Sequence, residues 1–342
     1  MLRGRLHKAG ERYEQAGRVL QAQEAAVFSG VEHAGLGDLQ REWNHLEEAT
    51  VEVQKGLEEV EPGDHIMFLT DVYQARVRLA LAQKDWDSAW RYLDKYSQVV
   101  HRSTASVEIE LLSAWRARVH LAQGDLAQAG LWAETKQAAG VGPWTPRQEW
   151  ELLMLARIRL AQGKVDYAAS LLERIRTAAE ESGRRGRALE AQMLQALADQ
   201  AAGKDAQALE RLAEVLAGAE PEGYMRLFLD EGQAMARLLQ LAVARGIVPS
   251  YSSKLLAALE TESRSEQPGP AAAAGTPLVE PLSERELQVL RFVAAGLSNQ
   301  EIADRLVVSI RTVKKHAQNI YGRLGVNSRT RAVASARELN LL

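Results

Sequence analysis

The sequence contains no cysteine, which excludes disulfides and thiolate metal sites and suits a reducing cytosol. No apolar run approaches the roughly 18 residues that a membrane-crossing helix needs. The opening segment MLRGRLHKAGERYEQ lacks the apolar core of a secretion signal. Catalytic signatures are missing too. The seven histidines are scattered without an H-E-x-x-H pairing, and neither G-x-S-x-G nor G-x-G-x-x-G occurs. No G-x-x-x-x-G-K-[ST] loop is present, because the Gly-Lys pairs at 163–164 and 203–204 are followed by Val and Asp. The periods are helical throughout, which excludes a receiver domain of alternating strands and helices. These absences argue for a cytoplasmic chain that is not an enzyme and holds no cofactor or metal.

What is present is ordinary folded protein in an amount that suits more than one domain. The chain has 342 residues, of which 46% are apolar and 25% charged. Its net charge of −3 is unevenly distributed: Pro277 to Leu342 carry +4 and the preceding residues −7. A basic tail follows an acidic body.

The body is periodic. LAQ recurs at 81–83, 121–123 and 160–162, and five residues beyond each turn position stands an alanine: Ala9, Ala49, Ala89, Ala129, Ala168 and Ala208. The turn positions are Gly4, Asn44, Lys84, Gly124, Gly163 and Gly203, spaced by 40 or 39. Glycine and asparagine tolerate the left-handed conformation that closes a helix, so Lys84 is the exception. A small residue early in the second helix lets paired helices approach. A larger side chain usually follows one turn later, at Tyr13, Val53, Leu93, Leu172 and Leu212. The pattern predicts an all-α solenoid of helix pairs. It resembles tetratricopeptide (TPR) repeats with lengthened helices, although the period is nearer that of HEAT repeats.

All seven tryptophans lie within the first 150 residues, and packing between repeats is favoured over a ligand surface on the concave face. PEGYMRLFLDEGQAMARLLQLAVARG then reads as one amphipathic helix. Adjacent Asp230 and Glu231 point about 100° apart on a helix, which argues for capping or solubility over paired catalysis. A further helix is expected around Tyr251 to Leu259, and residues 263–280 read as a flexible linker. The expected domains are 1–262, the solenoid, and 281–342, a small four-helix unit.

That last unit carries the clearest chemistry. Ser283 and Glu286 form a capping-box pattern, with Leu282 and Leu287 at the staple positions and Leu287, Leu290, Val293 and Ala294 as an apolar stripe. Ser298 with Glu301 repeats the device, and Ser309 opens a third helix. In that helix Val313, Ala317, Ile320 and Leu324 share one face, with Arg311, Lys314, Lys315 and Gln318 opposite and Thr312 near the start. Basic and amide side chains suit base edges and phosphates.

LSERELQVL, AAGLSNQEIADRL, SIRTVKKH and LGVNSRTRAV together resemble the LuxR-type (GerE-like) helix-turn-helix family. The resemblance makes the helix after Ser309 the recognition helix, with Lys314, Lys315 and Gln318 facing bases. It assigns Asn299, Gln300, Thr312 and Arg329 to the DNA backbone. It implies a sequence-specific transcription regulator of double-stranded DNA, expected to be an activator. A homodimer on DNA is expected, with RNA polymerase a candidate partner.

The order of solenoid, EGYMRLFLDEG segment, linker and C-terminal helix-turn-helix resembles the MalT-like large regulators. There the solenoid is the sensor that receives an inducer, and an ATP-binding module lies upstream. With no phosphate loop present, either this is the C-terminal part of a longer protein or it works without a nucleotide step. The alternative is a TPR-type interaction scaffold with weak, non-specific DNA affinity.

Overall fold

The six turn positions of the repeat all hold a left-handed backbone, with φ of 69° at Gly4, 64° at Asn44, 56° at Lys84, 78° at Gly124, 74° at Gly163 and 75° at Gly203. The computed structural model describes residues 4–22, 26–63, 66–102, 106–136, 144–266, 282–294, 297, 299–306, 308, 310–324, 326, 332, 336 and 341. They fall into two units, Met1–Thr261 and Glu262–Leu342. Among the described residues there is no strand, and no helix is long and apolar enough to cross a membrane.

Unit 1 begins with α1 (Leu6–Ala22), followed by five helix pairs. These are α2 (Ala26–Glu42) with α3 (Leu46–Val60), α4 (Ile66–Ala82) with α5 (Trp86–Arg102), α6 (Ser106–Ala122) with α7 (Leu126–Thr135), α8 (Pro146–Ala161) with α9 (Val165–Glu181), and α10 (Arg185–Ala201) with α11 (Asp205–Ala219). Each pair is joined by the same bonds. In the third, the N–H of Gly124 donates to the Leu121 carbonyl at 3.0 Å and that of Asp125 to His120 at 2.9 Å. This double closure is the Schellman motif, which requires φ > 0 at its penultimate residue and explains the glycines. Lys84 adopts the same conformation despite its side chain. Asp85 and Asp125 then cap the next helices, accepting the N–H of Ser88 and Gln128.

The repeat alanines Ala49, Ala89, Ala129, Ala168 and Ala208 are fully buried, and Ala9 partly so. One turn on, Val53, Leu93, Leu172 and Leu212 are buried with them. Two clusters result. One runs from Ala34 to Val119, and the other gathers the later helices together with Leu6 of α1 and Leu39 of α2. The early helices therefore pack against the late ones, and unit 1 closes on itself.

The closing piece differs from expectation. Instead of one helix from Pro221 onward, a 3₁₀ turn (Glu220–Glu222) precedes α12 (Arg226–Leu229) and α13 (Gly232–Ala244). Gly223 and Gly232, with φ of 71° and 58°, break the helix twice. The apolar positions still bury, notably Phe228, Met235, Leu238 and Leu239. The next helix, α14, runs Pro249–Glu266, beyond Leu259 and into the segment expected to be linker. Its extra turn is rich in Glu and Arg, and no helix breaker intervenes before Pro268.

Unit 2 contains α15 (Glu284–Ala294), α16 (Asn299–Leu306) and α17 (Ile310–Leu324) around a core of Val289, Leu290, Val293, Ile302, Leu306, Val313 and Ile320. Val289 is fully buried, whereas Leu287 and Ala294 of the expected stripe are only partly so. The fourth helix expected from Ser328 lies outside the described residues except for Ala332 and Ala336, both helical and buried.

Candidate DNA interface and a charged cavity

The capping box at Ser283 is formed. The Ser283 N–H donates to Glu286 Oε2 at 2.9 Å, and the Glu286 N–H returns to Ser283 Oγ at 3.3 Å. The same carboxylate accepts Arg323 of α17 at 2.8 Å, so one buried acid both starts α15 and ties α17 to it. Burial raises the Glu286 pKa, but Ser283, Arg323 and Asn319 outweigh it and hold the carboxyl below its ordinary range. Arg285 donates to the Leu306 carbonyl at 2.9 Å, closing the end of α16.

On α17, Val313, Ala317 and Ile320 form the buried stripe. By backbone register at about 100° per residue, Arg311, Lys314, Lys315 and Gln318 occupy positions away from that stripe. Thr312 is the partly buried third residue of α17, and Asn299 and Gln300 open α16. Arg329, Ser298 and Ser309 lie outside the described residues.

Unit 1 holds a second site, open to solvent on one side. A cavity of about 350 Å³ is lined by Arg41, Arg78, Arg118, Arg157, Arg187 and Arg226, against Asp38, Glu42, Glu190, Asp230 and Glu231. Trp115 and Trp150 form part of its wall, with ring centroids 4.5 Å apart. Three arginines repeat with the solenoid: Arg78, Arg118 and Arg157 each stand three residues before an LAQ. Arg78 is paired with Asp38, its Nε donating to Oδ1 at 2.7 Å. Arg157 donates to Glu231 at 2.8 Å and to Glu190 at 2.9 Å.

The closure of unit 1 passes through this cavity. Met225 N–H donates to the Glu42 carbonyl at 2.9 Å, Leu227 N–H to Glu42 Oε1 at 2.8 Å, and Trp43 Nε1 to the Glu222 carbonyl at 3.0 Å. Asp230 accepts both Arg41 and Arg226, and Arg226 also reaches Asn44 Oδ1 at 3.1 Å. Burial alone would raise the Asp230 pKa, but Arg41, Arg226 and Arg118 together drive it far below the carboxylate range. Glu42 goes the other way. Its burial outweighs Arg41 and the Leu227 N–H, and its pKa is pushed up to about 7.

Residues 1–245 match the family described as the MalT-like TPR region. The chain belongs to the MalT-like TPR family. Residues 280–336 match a second family, the bacterial regulatory proteins of the luxR family. Among similar proteins is the HTH-type transcriptional regulator MalT of Vibrio cholerae, 26% identical over 318 residues. Those of Vibrio campbellii and Yersinia pestis are 24% and 25% identical over 329 and 322 residues. Each comparison covers 87% of this chain and 34% of the relative. The chain thus spans about a third of the length of these relatives.

In this MalT-like TPR unit, Asp230 and Glu231 stand at the C-cap of α12 and the N-cap of α13, but the Glu231 side chain makes no cap bond and both carboxylates turn to arginines. Asp230 holds Arg41 and Arg226, and Glu231 holds Arg157. The arginine before each LAQ was the available signal, since it keeps the repeat's own spacing. Of the seven tryptophans, Trp115 and Trp150 face the cavity, while Trp90 and Trp132 bond across to Gln123 and Ser113.

Proposed function

We propose that this chain is a sequence-specific DNA-binding transcription regulator in which unit 2 reads double-stranded DNA and the MalT-like TPR unit receives the signal. The observation that carries the reading is α17. Its buried stripe fixes the helix against α15 and α16, and the register leaves Arg311, Lys314, Lys315 and Gln318 free of the core. In this reading Lys314, Lys315 and Gln318 contact bases, while Asn299, Gln300, Thr312 and Arg329 contact the DNA backbone. The regulator acts in the cytoplasm as a homodimer on DNA, engages RNA polymerase as an activator and performs no catalysis. Residues 1–262 and 281–342 are its functional domains, with 263–280 as tether.

Gel-shift titration against the chain's own upstream regions, and against random DNA, tests the reading across a range of salt. Lys314→Ala and Lys315→Ala should each lose specific binding by roughly tenfold or more, about 1–3 kcal/mol per base contact. A specific-to-random ratio near one in the unmodified chain would instead favour the interaction scaffold.

A further inference from the structure

The arginines of the repeat ladder are not equivalent. Arg78 has Asp38 at the same register one repeat earlier, and Arg157 has Glu190 and Glu231. Arg118 stands between them, and the corresponding positions on either side are the arginines 78 and 157. Among the described residues it forms no ion pair. Its one hydrogen bond among the described residues is a long one, from Nη2 to the Asp230 carbonyl at 3.5 Å. Burial, with like-charge repulsion from Arg157, lowers its pKa, and Glu231 and Asp230 offset this only in part. A second guanidinium on the wall is also incompletely bonded, since the buried Nε of Arg187 has no partner.

A partly buried guanidinium with one long hydrogen bond and no ion pair of its own keeps most of its donors available, and a cavity lined with charge offers them to an anion that arrives separately. We propose that this cavity binds a small organic anion, its carboxylate or phosphate oxygens taken by Arg118 and its body lying against Trp115 and Trp150. The six arginines outnumber the five carboxylates on the wall, which leaves a positive excess for the ligand. A planar guanidinium donates two parallel hydrogen bonds to either oxygen group. The volume is at the lower end for small-molecule sites and too small for a folded segment. The proposal deepens the signal-receiving reading of unit 1 and rests on it.

The test uses the full chain, tryptophan fluorescence and thermal unfolding, with benzoate and phenyl phosphate as probes and benzamide as the neutral control. Either anion should give a saturable fluorescence change and a raised unfolding midpoint, with benzamide at least tenfold weaker. The preferred anion distinguishes a carboxylate from a phosphate ligand. Arg118→Gln should weaken binding at least tenfold, and Arg118→Lys should restore part of it. Without ligand, Arg118→Met should unfold at a higher temperature than the unmodified chain, because a partly buried charge repelled by Arg157 and Arg41 has gone. A lower midpoint for Arg118→Met, or no Arg118-dependent response to either anion, overturns the site. Arg118-dependent binding that leaves specific DNA affinity unchanged upholds the site and sinks the signal-receiving reading instead.

Discussion

In unit 1 the arginines at 41, 78, 157, 187 and 226 turn inward and meet carboxylates around a cavity, whereas in unit 2 the ion pair of Arg323 with Glu286 serves a helix cap. In the first arrangement Arg41 with Asp230 and Arg157 with Glu231 join segments far apart in the chain. The second joins the ends of neighbouring helices. Charge therefore defines the interior of the large unit and the helix boundaries of the small one. The apolar core of each needs only a regular pattern, but the pair of Arg41 with Asp230 needs unit 1 closed before it can form.

The sharpest way to break this contrast is Asp230→Ala. It leaves Arg41 and Arg226 without their shared acid and should cost unit 1 about 3–5 kcal/mol. Because every tryptophan lies in unit 1, urea unfolding followed by tryptophan fluorescence reads that unit alone. An unchanged midpoint would show that the closure does not depend on Asp230.

Next in size is the effect of pH through Glu42. Its folded pKa of about 7 lies above the ordinary 4.5, so in that window the folded chain holds a proton that the unfolded chain has released. Unit 1 should accordingly lose stability as pH rises from 4.5 through 7, by up to about 3 kcal/mol. Glu42→Gln, which can still accept the Leu227 N–H, should flatten that slope. Glu286 has the opposite sign. Its pKa is depressed, so its contribution is present above the ordinary carboxylate range and is lost as pH falls through the folded value.

Glu286→Ala sharpens the comparison from the other side, removing the cap and the ion pair to Arg323. It should destabilise unit 2 by about 2 kcal/mol, seen as faster hydrogen exchange at Val289 and Val293, with the tryptophan signal unmoved. The smallest effect is expected at Lys84, where a lysine holds φ of 56°. Lys84→Asn, the residue that the preceding repeat uses at Asn44, should raise the stability of unit 1 by about 0.5 kcal/mol.

The readable parts of the sequence are those with local causes. Turn residues announce left-handed φ, so the positions from Gly4 to Gly203 were legible, and the buried alanines kept step with them. The capping box was legible for the same reason, being contained within Ser283 to Glu286. The role of Asp230 was not, because its partner Arg41 lies on α2 and meets it only after the unit closes. The double break at Gly223 and Gly232 was hidden by an apolar pattern that suits a continuous helix equally well. In unit 2, the buried stripe of α17 could be drawn from periodicity alone.

The bond from Trp43 to Glu222 spans 179 residues and has a consequence for cooperativity. An open array of repeats melts from its ends, each repeat responding mainly to its neighbours. Here the second helix is bonded to the segment that follows the last pair, so α2 through α11 form a ring with no free end to fray. Such a ring should unfold in a single step and fold slowly, since its longest-range contacts must form before the ring is complete. An anion entering the cavity would then be felt by all five repeats at once.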